Sequence, residues 1–364
     1  MPPVTARLLV VGTGLVGTSI GLALGTPRDV LVHDGDEGHL ATAVERGAGR
    51  RWDGVEQVEH AVLAVPPRVV PHVLARLQAA GTARTYSHVA SSQAAVQAQV
   101  DAHCDPVPLC GSHPMAGREQ SGPAAATAAL FSGRPWVLCP SGSTSAAALA
   151  ATRALALECG AEPVELSATD HDAAVALVSH LPQVAASAVA AALLGARPTS
   201  AGLDPVRLAG PGLQDTTRVA GSDPALWVDV LRQNAGAVAP LVRALADELG
   251  SAATALEGLA ADDPAAAEAL TDLLRRGRDG RSRVPVKRGE HDSAFARLAV
   301  AVPDRPGQLA GLLVSAAEAG INVEDVRVEH LAGRPRGVIE LLVHASTRSQ
   351  ARSALAAAGW DVLA

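Results

Sequence analysis

The chain has 364 residues, which at roughly 100–200 residues per domain suggests two or three domains. Hydrophobic residues make up 48% and charged residues 18%, too apolar a balance for intrinsic disorder. Aromatics reach only 2%, so the core must be built from Ala, Val and Leu, and little remains for a stacking platform on single-stranded nucleic acid. A net charge of −7 argues against a general nucleic-acid or anionic-membrane binder. Lys287 is the one lysine, which leaves almost no candidate for Schiff-base chemistry or a P-loop. The four cysteines show no C-x-x-C pairing and read as free thiols of a cytoplasmic protein.

The uncharged run from Leu8 to Pro27 is long enough to span a bilayer. It carries Gly12, Gly14, Gly17, Gly21 and Gly25 and has no cleavage site after it, so it reads as a buried strand, turn and helix. From there to about Leu166, short apolar runs alternate with helical stretches. The runs are Leu8–Val11, Val30–His33, Ala61–Val65, Thr85–Val89, Val107–Leu109 and Trp136–Cys139. Continuous apolar runs suit strands covered on both faces, as in a doubly wound parallel α/β sheet. Residues 167–276 have Ala/Leu/Val segments at helical spacing, notably Ala173–Leu194 and Leu226–Leu249, and read as all-helical. Residues 277–293, rich in Arg and Gly, read as a linker, its basic cluster a solvated tether rather than a nucleic-acid contact. In residues 294–364, Phe295–Val302, Ile321–Val328, Val338–Val343 and Trp360–Leu363 read as strands. Leu309, Leu312, Leu313 and Ala316 mark a helix face, and Ser349–Ala358 forms a second helix. The order β-α-β-β-α-β is the ferredoxin-like split motif.

Four segments carry chemistry. Gly12-Thr13-Gly14-Leu15-Val16-Gly17 is a G-x-G-x-x-G between a strand and a helix, and Asp34 follows the second strand at about the twenty-residue offset of a dinucleotide site. Asp34 would accept ribose hydroxyls and repel a 2′-phosphate, favouring NAD; alternatively it caps the next helix, a job Asp36 could share. In Gly111-Ser112-His113-Pro114-Met115-Ala116-Gly117, proline pushes His113 towards an extended conformation, where a neutral imidazole could take a proton as hydride leaves a neighbouring carbon. A loop histidine bonded to backbone is an equal reading of that segment alone. Asp170-His171-Asp172 precedes His180-Leu181-Pro182-Gln183; the spacing is poor for a metal, and one of the aspartates reads as a helix N-cap. In the segment from Asp215 to Trp227, Ser222 or Asp223 caps a helix whose first turn holds Pro224, and Arg218 could fork onto a carboxylate or make a surface salt bridge.

Together these four segments resemble the NAD-dependent prephenate and arogenate dehydrogenases of tyrosine biosynthesis, from about Arg7 to Ala260, and the tail resembles an ACT regulatory domain. The resemblance implies an NAD-binding domain over 1–166, a helical substrate and dimerisation domain over 167–276, a linker over 277–293 and an ACT domain over 294–364. It implies oxidative decarboxylation in a homodimer, with His113 on the substrate's ring hydroxyl, Ser91 assisting it, and Arg218 on a substrate carboxylate. His180, Gln183, Asp215, Ser222 and Trp227 would line the substrate, and Gly12, Gly14, Leu15, Val16, Gly17, Asp34, Val65 and Pro66 the NAD. The family's Val-Gly-Ser-Val-Lys reads Val89-Ala90-Ser91-Ser92-Gln93 here, and its Ser-His-Leu-Pro-His ends in Gln183. The second departure bears on the choice between prephenate and arogenate. Asp304, Gly307 and Asn322 would border an amino-acid effector site for tyrosine or phenylalanine. Neither a metal, a nucleic acid nor a membrane is expected as a partner. Two rivals remain. A β-hydroxyacid dehydrogenase would need a lysine in the helical domain, which this chain lacks. A non-catalytic NAD-binding amino-acid sensor would bind without turnover.

Overall fold

The computed structural model describes residues 7–25, 28–118, 120–284, 294–330 and 336–363. They fall into two compact units, one ending at Gly250 and the other beginning at Ser251.

The first unit opens with β1 (Leu8–Val11), α1 (Leu15–Leu24), β2 (Val30–His33), α2 (Glu37–Glu45), β3 (Arg50–Arg51) and β4 (Val58–Leu63). It continues with α3 (Val70–Ala79), β5 (Ala83–His88), α4 (Ala94–His103), β6 (Leu109–Pro114), β7 (Pro135–Cys139), α5 (Ala146–Glu158) and β8 (Glu162–Glu165). The sheet order is β3-β2-β1-β4-β5-β6-β7-β8, parallel from β3 through β6; β7 runs antiparallel to β6, and β8 runs parallel to β7. All four residues of β1 are buried, alternating between two cores. Leu8 and Val10 pack with Ile20, Phe131 and Trp136, and Leu9 and Val11 with Leu74, Tyr86 and Leu109. That two-sided burial is why the strand sequences are continuously apolar.

Three strands depart from the expected pattern. The apolar residues at 107–109 predict a strand too early: Val107 is exposed, and β6 runs from Leu109 through Gly-Ser-His-Pro, so His113 lies in a strand rather than a loop. Pairing with β7, His113 opposite Val137, overrides the weak strand preference of those residues. The edge strands β3 and β8 are largely exposed and carry charged residues, which gives them no apolar signature.

Beyond β8 the described elements of this unit are helical: α6 (Ala168–Val175), α7 (Leu181–Ala192), α8 (Pro211–Thr217), α9 (Pro224–Gln233) and α10 (Ala235–Ala260), which runs past Gly250. The helix expected over 173–194 is interrupted by a π turn at Ala176–His180, where Leu181 N–H donates to the Ala176 carbonyl five residues back. Pro182 has no N–H to give the ordinary ladder, and the wider turn accommodates it. The stretch Ala168–Gly195 is long and apolar enough to cross a bilayer by length and composition, and 17% of its apolar 18-residue window is buried.

In the second unit α11 spans Pro264–Ser282, six residues into the stretch read as a linker. Asp263 caps it, and Asp272 pairs with Arg275 and Arg276 three and four residues on, which supports helix through the glycines. Most of the remaining linker lies outside the described residues. The last elements are β9 (Phe295–Pro303), α12 (Gln308–Glu318), β10 (Val323–His330), β11 (Arg336–His344), α13 (Arg348–Ala357) and β12 (Asp361–Val362). Their antiparallel order β10-β11-β9-β12 is that of the split β-α-β motif. Leu298, Val300 and Val302 of β9 pack with Leu312 and Ala316; Leu309, expected on that face, is exposed. Residues 331–335, between β10 and β11, lie outside the described residues.

Two buried histidines tie stability of the first unit to pH. His60 is bonded through Nδ1 to Thr85 and through Nε2 to Ser87, and burial holds it down at about 3. Burial, with the nearby His171, holds His88 at about 4. Each binds its proton more readily unfolded than folded, so full stability is present above about pH 6.5 and is lost on acidification, by about 1.4 kcal/mol per pH unit per group. Thermal midpoints should therefore fall between pH 6.5 and 5, less steeply in His60→Gln than in wild type. Parallel slopes would contradict this.

Candidate active site

The strand-to-helix turn after β1 is shaped by its glycines. Gly12 has φ +99°, and a Cβ there would strike the Ala64 carbonyl; one at Gly17 would strike the Gly12 carbonyl. Around Gly14 there is open space. Gly14 begins α1 without a side-chain cap and the first turn has no acidic residue, so no acidic side chain of that turn opposes the partial positive charge of the helix N-terminus. This is the cradle a pyrophosphate requires. Val65 and Pro66 follow β4 across the turn, and Val65 would meet a Cβ at Gly12 at 3.0 Å. Asp34 sits at the mouth. Its Oδ2 accepts from Thr13 N–H (2.5 Å) and the Thr13 hydroxyl (2.9 Å), and its Oδ1 accepts from Asp36 N–H (2.9 Å). Burial pushes this carboxyl up, but those bonds outweigh it and hold the group below its ordinary value. Asp36, not Asp34, caps α2. The residues fit a dinucleotide.

A second constellation lies where β5 and β6 meet α6. His113, at the end of β6, keeps part of its surface accessible. Its Nδ1 lies 2.9 Å from His171 Nε2, and His171 Nδ1 lies 2.8 Å from Asp172 Oδ1. His171 is wholly buried and Asp172 nearly so. Asp172 also accepts from Gln93 N–H (2.8 Å), at the N-cap of α4, and from Ala94 N–H (2.9 Å), the first amide of that helix. Of the two aspartates expected to cap a helix, Asp172 caps one 78 residues away in sequence. Ser167 caps α6 itself, bonded to Asp170. Burial would raise Asp172, but the His171 and backbone bonds hold it below the ordinary carboxylate range. Burial, followed by the fields of His171 and His180, holds His113 at about 3, so it is a neutral imidazole at neutral pH.

Beside this chain, Asn234 donates to the Asp172 carbonyl (2.8 Å) and reaches His180 Nδ1 at 3.2 Å. His180 is buried at the end of the π turn, its ring edge-on to Trp227 at 6.0 Å, and Gln183 is buried on the next turn. The 3-10 turn Arg218–Gly221 packs on α7. Arg218 and Asp215 are exposed there, and the Ser222 hydroxyl donates to the Val219 carbonyl (2.8 Å). Asp223 is the cap of α9. Ser91 is half-buried after β5. Ser92 is fully buried with its hydroxyl unpaired among the described residues. Gln93 donates to the Ala90 and Ser112 carbonyls and fills the space beside Gly111, where a Cβ would lie 2.5 Å from Gln93 Oε1. Gly111 therefore admits a protein side chain, not a ligand. Sequence reasoning missed Ser92 and Asn234, neither of which stands in a recognisable pattern. Asp304, Gly307 and Asn322 belong to the second unit. Gly307 begins α12 with φ +89°, and the Asn322 amide donates to Glu324 (2.5 Å).

Comparison with known proteins identifies the family. Residues 23–165 match the family model "Prephenate dehydrogenase, nucleotide-binding domain", and residues 167–275 match "Prephenate dehydrogenase, dimerization domain". A probable prephenate dehydrogenase, NovF, of Streptomyces niveus is 38% identical over 342 residues, covering 92% of this chain and 93% of that protein. Prephenate dehydrogenase of Bacillus subtilis is 27% identical, covering 92% and 91%. Among solved structures, arogenate dehydrogenase of Synechocystis superposes with a TM-score of 0.62 at 25% identity, over 76% of this chain and all of that one. Prephenate dehydrogenase of A. aeolicus, in complex with hydroxyphenyl propionate and NAD+, does so with a TM-score of 0.67 at 23% identity, over 77% and 98%. The chain belongs to the prephenate dehydrogenase family, which makes it an NAD-dependent oxidoreductase.

Proposed function

We propose that the chain is a prephenate dehydrogenase that converts prephenate to 4-hydroxyphenylpyruvate, with His113 as its base. The carrying observation is the ordered string Asp172–His171–His113, which ends on an imidazole that burial keeps neutral. NAD, when bound, supplies the hydride acceptor. Gly12, Gly14, Gly17, Leu15, Val16, Val65 and Pro66 shape its cradle, and Asp34 faces its ribose and disfavours a 2′-phosphate. As the hydroxyl-bearing ring carbon becomes a carbonyl, His113 holds the hydroxyl proton. The bond to the ring carboxylate then breaks, its electron pair makes the ring aromatic, carbon dioxide leaves, and the proton returns to the phenolic oxygen. No net proton is released, and aromatisation supplies the driving force, so the chain's task is positioning and one reversible proton transfer.

In this reading Ser91 assists His113 at the hydroxyl, and Arg218, on the turn beside α7, takes a carboxylate of the substrate. Asp215, Ser222, Trp227, His180 and Gln183 surround its side chain. Gln183, a neutral donor and acceptor, bears on arogenate, the amino-acid counterpart, as the alternative substrate. The division at 166, 276 and 293 belongs to the same reading, as does a cytoplasmic location. A homodimer is supported by the match to a dimerization domain and by the apolar residues Leu177, Val178 and Leu194, which the stretch Ala168–Gly195 leaves exposed in a lone chain. The tail is an ACT domain in this reading, with its effector site bordered by Asp304, Gly307 and Asn322.

The deciding assay follows NADH formation with prephenate and arogenate side by side; binding of NAD without turnover of either would favour a sensor. His113→Asn should lower kcat by about 10²–10⁴-fold, the usual worth of a general base, with NAD binding kept. Near wild-type turnover would overturn the role of His113. Arg218→Ala should raise KM with little change in kcat, as expected for lost uniform binding, and an unchanged KM would contradict it. Removal of residues 293–364 should leave an active enzyme indifferent to tyrosine and phenylalanine. A full-length chain whose rate and thermal midpoint ignore both amino acids would contradict the regulatory role of the tail.

A further inference from the structure

We propose that His171 and Asp172 are positioning residues that fix His113 as the Nδ1–H tautomer, so that its bare Nε2 is the atom that receives the substrate's proton. The inference rests on the reading of His113 as the base and adds which of its nitrogens acts and why.

The argument starts from the carboxylate, the one member of the string that can only accept. Asp172 Oδ1, 2.8 Å from His171 Nδ1, requires a proton on that nitrogen. A neutral His171 is then bare at Nε2. That bare nitrogen lies 2.9 Å from His113 Nδ1, so His113 must carry its proton there. The remaining lone pair of His113 is on Nε2. The string thus runs one way, and the direction is set at its far end.

The far end is held by independent contacts. Gln93 N–H and Ala94 N–H donate to the two carboxylate oxygens, and the partial positive charge of the α4 N-terminus stabilises an ionised Asp172. Asn234 fixes the Asp172 backbone through its carbonyl. The rings of His113 and His171 cross at 69° with centroids 5.2 Å apart, an edge-on contact that keeps the Nδ1–H aimed at its acceptor. A metal role is not needed to account for this pair of histidines, since among the described residues each ring nitrogen in the string has a protein partner except the Nε2 assigned to the substrate. When His113 takes the proton, the new charge is shared along the string towards a carboxylate, and it is withdrawn when the phenol forms.

Two variants separate this from mere packing. His171→Leu keeps an apolar filler of similar size but removes the acceptor. His171→Gln can present an amide oxygen to His113 Nδ1–H and so preserve the tautomer. We expect kcat to fall by about 10²–10⁴-fold in His171→Leu with KM within about threefold of wild type, the pattern of an interaction made in the transition state. Glutamine should restore at least about tenfold of that loss. In the wild-type protein with NAD, side-chain ¹H–¹⁵N spectra, with His113 assigned by its loss in His113→Asn, should show the proton on Nδ1. A proton on Nε2, a His171→Leu kcat within about threefold of wild type, or equal losses in the two variants would each overturn the proposal. Should His171→Leu fail to fold, the glutamine variant and the wild-type spectrum still decide it. Wild-type inactivity on both prephenate and arogenate would defeat the functional reading instead, and the tautomer would still be read from the spectrum.

Discussion

The Asp172 carboxylate is the buried charge on which the first unit depends. An isolated carboxylate in this interior would be too costly to keep ionised, and Asp172 stays charged because two amides and an imidazole N–H converge on it. Those donors come from different places in the fold. The amides begin α4, which leaves the sheet at β5, and the imidazole is its own neighbour in α6, reaching to β6. One side chain thereby fixes the start of a sheet-covering helix, the first of the C-terminal helices and the histidine at the cleft. Four imidazoles, of His88, His113, His171 and His180, lie within its field, and three of them are held below their ordinary values. Burial keeps His88 and His113 neutral at neutral pH, which suits chemistry that borrows a proton and returns it.

What could be read from the residue order divides along physical lines. The dinucleotide turn was legible because glycine is demanded by the backbone itself. A side chain at Gly12 or Gly17 would collide with a carbonyl, so the constraint is written locally. The two-sided burial of β1, β2 and β4 was legible for the same reason, as continuous apolar runs. His113 is marked by its His-Pro context, but the residues leave extended and loop conformations open, because Gly-Ser-His-Pro has weak strand character and becomes a strand through pairing with β7.

The Asp172 cap was illegible. A helix cap is recognised in sequence by its place next to the helix it serves, and this one acts across 78 residues. The π turn before Pro182 was missed because the apolar periodicity of 173–194 continues through it, although the proline carried the signal. Ser92 gives none: its buried hydroxyl, unpaired among the described residues, is a property of the surrounding fold. The tail is legible in element order, with Leu298, Val300 and Val302 of β9 buried at every second residue, and its sheet order follows from the antiparallel pairing of β9 with β11 and β12.

The central claim is that the fold presents His113 Nε2, and no other atom, to the substrate's hydroxyl. The most direct measurement is a crystal structure of the chain with NAD and a 4-hydroxyphenyl product analogue. The account predicts the phenolic oxygen at about 2.6–3.2 Å from His113 Nε2, with His113 Nδ1 still bonded to His171. A phenolic oxygen bonded to Nδ1 instead, or seated away from His113 altogether, would contradict it.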